Sequence, residues 1–586
     1  MHRSSKLSRC LFALAFFTAG APLRTAPCSP GHLQREEYTR TFQKTVAWQQ
    51  GQSVRIDHRN GDIVIRTHRQ PDIRVDASIR VSADDKTEAA SFGDQIQIQI
   101  ESAASAVSIR TSYPESRSGY FTGRRNISFS VSYDIAMPEN APLYVVNRFG
   151  NVTVSNLKAA ADINNAHGLL TFRDNRGNHR LENSFGGVEV TGNTGDVVVI
   201  NNNSFVNVTQ VEGALNLRNR FGNVKVIRIT KTATIVNSNG SVDLTGTGGP
   251  SSISNSFGSV IATDITGDLS IHNNNGSVEA RNISGSAELN TTFSSITFSD
   301  IGKKLTSTAS NTSITGNKVG EGTTLRTSFG PVDIRTTGGD ADIQNSNGKI
   351  TVRDVRGSAL LRTSFGDVDA SGIAGNAAIS TSNAAITLRD VGGFADLRST
   401  FGRVDASGIR KGLKLSAGNA NVSVADITGD AYVKTSFGLV KAERISGGLT
   451  VENSNGGVKA SDVKISAAVR TSFSSVVLDG IGGSVEVDNQ NGSVEVSSLS
   501  VKRAGACNSV ILKTSFAPIR VYLPEDGSYN VVARTSFGKI NSELPLTVTG
   551  IVSNDSLSGR IGGGDCELRL TGSNGNIDIL KSVRKR

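Results

Sequence analysis

Phe149, Phe185, Phe221, Phe257, Phe293, Phe329, Phe365, Phe401, Phe437 and Phe473 follow one another at a constant interval of 36 residues. A second series falls midway, at Asn203, Asn239, Asn275, Asn311, Asn347, Asn383, Asn419, Asn455 and Asn491, with Asn239, Asn347 and Asn455 inside Ser-Asn-Gly. The true unit is therefore 18 residues, with Phe and Asn alternating. A period held for more than 340 residues without an insertion marks a solenoid, in which each turn of chain packs only on its neighbours, and not a globular enzyme core.

Numbering each rung from its Phe or Asn as zero sorts the residues into columns. Gly recurs at +1 (Gly222, Gly240, Gly258, Gly276) and again at +10 (Gly177, Gly195, Gly213, Gly267). Val or Ile recurs at +3 (Val224, Val242, Val260) and at +8 (Ile265, Ile283, Val355), and apolar residues fill +12 and +14 (Ala359 with Leu361, Ala395 with Leu397). Period-two apolar placement indicates strand, and the Gly columns mark corners that need positive φ or close backbone approach. Each rung is then two or three short strands. Rungs stacked in register as a parallel sheet rise by ~4.8 Å each, so about 24 of them between Phe149 and Leu580 would build a rod of roughly 115 Å. The fold class expected is an all-β, single-stranded parallel β-helix (β-solenoid) with 18-residue rungs in 36-residue double repeats.

Strand parity carries position zero inward together with +12, +14 and +16. That reading buries Phe and Asn at an interior corner, the Asn rungs leaving room for each ring. Asn, Thr and Ser at +16 (Asn219, Asn273, Asn345, Thr363, Thr381, Thr435, Asn453, Thr471) form a polar ladder beside them. The competing reading turns the rings outward as a sticky stripe.

Three residues before each Phe, from Arg326 onward, the side chain is cationic: Arg326, Arg362, Arg398, Lys434 and Arg470, then Lys513 and Arg534. Position −3 is expected to face outward, which makes a basic row with gaps of ~9.6 Å. Asp333, Asp369 and Asp405 partly offset it. Such a row either solubilises and protects a face or tracks an anionic glycan or lipopolysaccharide.

Bulk properties narrow the setting. Residues 1–21 carry four basic side chains or histidines and then the apolar run from Cys10 to Phe17, the pattern of a secretory signal peptide cleaved between 21 and 28. The expected location is therefore exported: periplasm, cell surface or extracellular. The formal charge of +10 is concentrated in that leader and in the basic tail 581–586, so the body is nearly neutral and nucleic acid is excluded as a partner. Cys28, Cys507 and Cys566 remain after cleavage. The separation of the last two is not a multiple of 18, which favours two small buried thiols over a disulfide.

No catalytic constellation emerges. The seven His are scattered, and His58 with His68 makes only a poor metal pair without nearby Cys or Glu. Asp84-Asp85 and Glu525-Asp526 read as capping or solvated pairs, and Gly562-Gly563-Gly564-Asp565 occurs once, without the repetition that would build a calcium site. No cofactor and no enzymatic activity are expected. The organisation expected is an irregular β capping region at 38–146 with one short helix over Asp84–Phe92, a regular β-solenoid at 147–500, and irregular rungs with a cap at 501–580.

The segments "GQSVRIDHRNGDIVI", "YDIAMPENAPLYVVNRFGNVTV" and "TSFGDVDASGI", with their Phe-Gly and Asn-Gly turns ahead of alternating strands, resemble the bacterial putative adhesin family of secreted β-strand-repeat proteins over residues 45 to 580. That resemblance implies right-handed coiling, which matches the general hand of parallel crossovers, and it supplies no catalytic motif. The functional expectation is a non-enzymatic, secreted or cell-envelope adhesin-like solenoid presenting long faces to glycans, lipids or envelope proteins. An end-to-end polymerising scaffold, self-associating through terminal rungs, is the alternative, and a carbohydrate-active enzyme comes third.

Overall fold

The computed structural model describes residues 35–114, 127–500, 507–550 and 553–582. The predicted leader and Cys28 lie outside the described residues, as does most of the basic tail. Each 18-residue rung contributes two strands, as in Leu215–Phe221 and Val224–Ile229. Through the regular rungs each strand pairs in parallel with its counterpart one rung on: Phe221 lies opposite Asn239, and Val224 opposite Val242. About 20 such rungs stack into an all-β parallel solenoid. Strands spanning +12 to zero form one continuous ladder, ladder A, and strands from +3 to +8 form the second, ladder B. The chain runs unbroken around the corner between them in the long strands Ala287–Ile301 and Leu305–Val319.

Between the ladders lies a single apolar core built from columns +3, +5, +8, +12 and +14, exemplified by Val260, Ala262, Ile265, Leu269 and Ile271, each no more than 2% exposed. Positions +5 and +8 are three apart, so simple alternation cannot bury both. The chain manages it with a left-handed residue at +7, which rotates the backbone as a bulge does. Asp174, Asp264, Asn282, Asp354, Asp390 and Asp426 have φ between 55° and 59°, and Gly192, Gly246, Gly372 and Gly408 occupy the same column with φ between 66° and 75°. Asp, Asn and Gly tolerate this region best, which explains their recurrence at +7.

The corner between ladders A and B requires glycine for a second reason. A Cβ on Gly222, Gly240, Gly258 or Gly276 would fall 2.1–2.5 Å from a carbonyl oxygen one rung earlier. Rung backbones touch here, and no side chain fits. The turn carbonyls are satisfied from inside by column +16: Asn273 donates its Nδ2 to Gly258 O at 2.9 Å and Gly276 O at 3.0 Å, and Thr471 donates its hydroxyl to Gly456 O at 3.0 Å. The predicted polar ladder is thus present and buried, with Asn345 at 0% and Asn453 at 2% exposure.

Both ends are finished in a related way. At the N-terminal end the first rung in sequence, Ser53–Asn60 with Ile63–His68, lies between the rung of Leu143–Phe149 and an outer level formed by Ala106–Ser112 and Ser128–Pro138. Antiparallel strands then close it: Gln97–Ala103 on Ala106–Ser112, and Asp72–Ala83 on Ser128–Pro138, with Glu36–Ala47 outermost. The single helix among the described residues, Lys86–Gln95, is N-capped by Asp85 and lies on this antiparallel edge, where a Cβ on Gly93 would meet the Tyr38 ring at 2.6 Å.

At the C-terminal end the last rung in sequence, Cys566–Thr571 with Ile577–Lys581, inserts between Val510–Lys513 with Ile519–Leu523 and the outer strands Tyr529–Arg534 and Ile540–Ser542. Ser556–Ile561 closes ladder A antiparallel. Ladder B stops at the three-residue strand Ile540–Ser542. Regular rungs therefore extend into both segments whose sequence lacks the strict period, because the 18-residue spacing is interrupted by the excursions that build the outer levels.

Cys507 and Cys566 form a disulfide, with Cα atoms 5.2 Å apart, which corrects the expectation of two free thiols. Multiples of 18 govern residues that follow the rungs in order. The inserted last rung is out of order, so a separation of 59 brings the two side chains together. The bond ties that inserted rung to the segment leading into Val510–Lys513.

Candidate binding faces

The phenylalanine series holds one column, alternating with Asn as expected, but the rings face solvent. The ten rings from Phe149 to Phe473 are 42–60% exposed, which overturns the interior placement and supports the outward reading. The cause is the +16 side chain. Asn or Thr fills the inside of the corner and hydrogen-bonds the turn, the Gly backbones above and below are in contact, and no volume remains for a ring. Alternation consequently ends at +16, and both +17 and zero point out, as in Asn219, Arg220 and Phe221. The Asn members Asn239, Asn275 and Asn491 are half-buried in the same column, while Asn347, Asn383 and Asn455 are exposed.

The alternation is a property of space and not only of sequence. In the C-terminal cap the order along the chain is Phe516, Phe537, Asn574, yet the inserted rung places Asn574 between the two rings: its N–H donates to Ser515 O at 2.8 Å, and the Phe537 N–H donates to Ser573 O at 2.7 Å. At the other end Asn60 lies opposite Phe149. One departure occurs at His167, which takes an Asn position and stacks its imidazole between Phe149 and Phe185 with ring centroids 4.7 Å from each and interplanar angles of 11° and 7°.

The basic row is also one column, on the outward face of ladder A. Its register reads Arg326, Gln344, Arg362, Ser380, Arg398, Ser416, Lys434, Glu452, Arg470, Asp488, Lys513. Several of these cations have acidic neighbours: Arg326 contacts Asp342 at 2.5 Å, Arg398 contacts Asp396 at 3.0 Å, Lys434 contacts Glu452 at 3.1 Å and Lys513 contacts Asp488 at 3.5 Å. The hydrogen bond between Lys434 and Glu452 raises the ammonium pKa and lowers the carboxylate pKa. Arg362 stands between Gln344 and Ser380. Asp333, Asp369 and Asp405 do not offset this row as expected; they belong to ladder B, where Asp333 pairs with Arg335 at 3.7 Å and Asp405 with Arg403 at 2.7 Å.

Further toward the N-terminus the same face of ladder A opens into a shallow groove of ≈ 610 Å³, lined by small hydroxylated residues including Thr234, Ser252, Ser270 and Thr306, with Asp268 and Glu288 at its rim. Asp268 is already committed, its Oδ1 accepting the Ser286 N–H at 2.8 Å. His272 beside the groove is 3.5 Å from Glu288.

His58 and His68 are not a ligand pair. His58 is buried in the N-terminal cap, with its Nδ1 3.0 Å from the Thr111 hydroxyl and its ring edge-on to Tyr133, and burial lowers its pKa to about 4. His68 lies on ladder B beside Asp72. Among the described residues no group of three or more His, Cys, Asp or Glu side chains converges as a metal site would require. Among the same residues, no helix is long and apolar enough to cross a membrane.

No family model matches the chain, and no curated protein matches it. Among solved structures, one described as a putative cell adhesion protein from Clostridium sporogenes aligns with 40% of this chain and 100% of its own at 13% identity, with a TM-score of 0.16. A score that low carries no argument about fold or role. The class of this protein, a parallel β-solenoid with capped ends, rests on its own geometry.

Proposed function

We propose that this chain is an exported, non-enzymatic, adhesin-like solenoid that presents the outward face of ladder A to an anionic surface glycan such as lipopolysaccharide. The observation that carries the reading is the column Arg326, Arg362, Arg398, Lys434 and Arg470 on one face, spaced two rungs apart with Gln344, Ser380 and Ser416 between the first members. A rigid face with cations at ~9.6 Å intervals engages a long polyanion at many weak points, and binding to it strengthens through multivalency. Export is supported by the leader-like residues 1–21 and by the disulfide, since disulfides persist mainly in oxidising compartments.

The end-to-end scaffold is the weaker reading, because antiparallel strands and the short strand Ile540–Ser542 finish the rod where a parallel partner would have to add. Binding to lipopolysaccharide and to neutral and acidic glycans, measured at low and high salt, tests the proposal. Binding to anionic glycans that weakens with salt, and weakens further in the R362Q/R398Q/R470Q variant, supports it. Absence of anionic-glycan binding at either salt, or binding indifferent to the substitutions, ends it.

A further inference from the structure

The corner column and the cationic face are separate surfaces. Along the corner, a phenyl ring reaches further from the backbone than an Asn amide. Successive rings are therefore teeth ~9.6 Å apart, and from Phe185 to Phe473 each gap between them is floored by an Asn amide. The chain itself shows what such a gap accepts: at His167 an aromatic ring fills it, near-parallel to Phe149 and Phe185 and 4.7 Å from both.

We propose that the phenylalanine corner is a lateral pairing surface for a second copy of this chain, the rings of one rod entering the gaps between the rings of the other. The periodicity selects that occupant. Matching the nine teeth from Phe185 to Phe473 requires a partner with the same two-rung pitch over the same length, and a second copy has it by construction. Running the two rods in opposite directions about a twofold axis gives an isologous contact that closes at two.

The immediate flank is mostly uncharged: the residue before each ring is Ser or Thr from Ser256 to Ser472 and at Ser184, and Arg148 and Arg220 are the two cations that precede a ring, the latter lying over Phe221 at 5.4 Å. Each ring is about half exposed, so the nine from Phe185 to Phe473 offer about 900 Å² per partner, comparable to the ~800 Å² per partner of a specific interface. The alternatives fit less well. A bilayer favours a continuous apolar band, and here polar rungs interrupt it. A sugar stacking on aromatic rings needs ring faces turned outward, whereas at Phe149 and Phe185 the faces are turned toward His167.

Light scattering with sedimentation velocity on the full chain, across a dilution series up to about 100 µM, tests this against two variants. F293S/F329S/F365S/F401S removes teeth. N311H/N347H/N383H fills gaps in the manner of His167 and keeps every ring, so it separates loss of pairing from loss of fold. The expected result is a dimer of the parent chain dissociating at micromolar concentration, with both variants monomeric and both retaining the β circular-dichroism spectrum. A parent chain that stays monomeric throughout, a dimer that survives either variant, or a mass that keeps growing beyond two overturns the proposal. The glycan test above is read on another face and is unaffected by any of these outcomes.

Discussion

Asn574 is the neighbour of Phe516 in the corner column although 58 residues separate them, joined through the 2.8 Å hydrogen bond from the Asn574 N–H to Ser515 O. The chain passes outward to Phe537 and returns to fill the level it skipped, so the last rung is held on both sides by strands made earlier. The disulfide between Cys507 and Cys566 holds this arrangement closed.

Removing that bond by C507S/C566S should destabilise the C-terminal cap more than the body of the rod. A closed loop of 59 residues corresponds to about 4 kcal/mol of chain entropy in the unfolded state. Hydrogen exchange resolved by segment should show faster opening of residues 507–581, with the rungs between Phe221 and Phe401 unchanged. Uniform protection in oxidised and reduced protein would contradict this.

The outward rings and the buried ones should separate in a mutational comparison. Phe329 is 51% exposed, whereas Phe298 is 2% exposed and fills the space left by Gly316, whose Cβ would fall 2.1 Å from that ring. Phe298→Ala should cost about 3–5 kcal/mol. Phe329→Ala should cost about 1 kcal/mol or less. Denaturation midpoints check both values, and equal losses would return the Phe329 ring to the interior.

Two columns make opposite demands on backbone substitutions. Gly258 has φ +109° and its Cβ would lie 2.5 Å from Gly240 O, so Gly258→Ala should cost more than about 2 kcal/mol. Thr336, a β-branched residue at +7, has φ 56°. Thr336→Asn should stabilise by about 1 kcal/mol, since Asn tolerates the left-handed region. A rise in midpoint for the first variant or a fall for the second would refute the assignment.

Acid should weaken the first rungs through His179. This side chain takes a +12 position between Ala161 and Val197, accepts the Ala161 N–H on Nδ1 at 3.2 Å, and has its pKa lowered by burial to about 4. The unfolded chain, titrating near 6.5, binds more protons between pH 6.5 and 4. Stability is thus constant above that window and is lost as pH falls through it, by up to about 3 kcal/mol. His179→Val should remove this component, narrowing the difference between thermal midpoints at pH 7 and pH 4.5. An identical acid loss in parent and variant would exclude His179 as the cause.

Much of the fold was readable from the chain because a solenoid repeats its physics. The +3, +8, +12 and +14 columns and the +16 polar ladder follow from apolar and amide residues recurring every 18 positions. Parity failed at Phe149 to Phe473 because it presumes that alternation continues through the corner, whereas the buried +16 side chain and the close backbones at Gly240 and Gly258 leave both +17 and zero facing out. The +7 bulge was missed: Asp264, Asn282, Asp354, Gly372 and Asp390 recur there, but a mixed Asp, Asn and Gly column gives no apolar signal, and its reason appears only with their left-handed φ. The pairing of Cys507 with Cys566 was hidden for a topological reason, the return of the last rung into a level already passed. Of the candidate binding faces, the basic column was legible from spacing, whereas its partial neutralisation by Asp342 and Glu452 depends on neighbours in other strands; Asp396 sits two residues before Arg398 in the same strand.

The inserted first and last rungs, with their antiparallel covers, also fix a dimension. A stack open at either end could lengthen by adding copies, and its span would then depend on concentration. Here the span of one rod is written into the polypeptide as a number of turns, and duplication or deletion of a whole 18-residue unit would change it by one rung, ~4.8 Å.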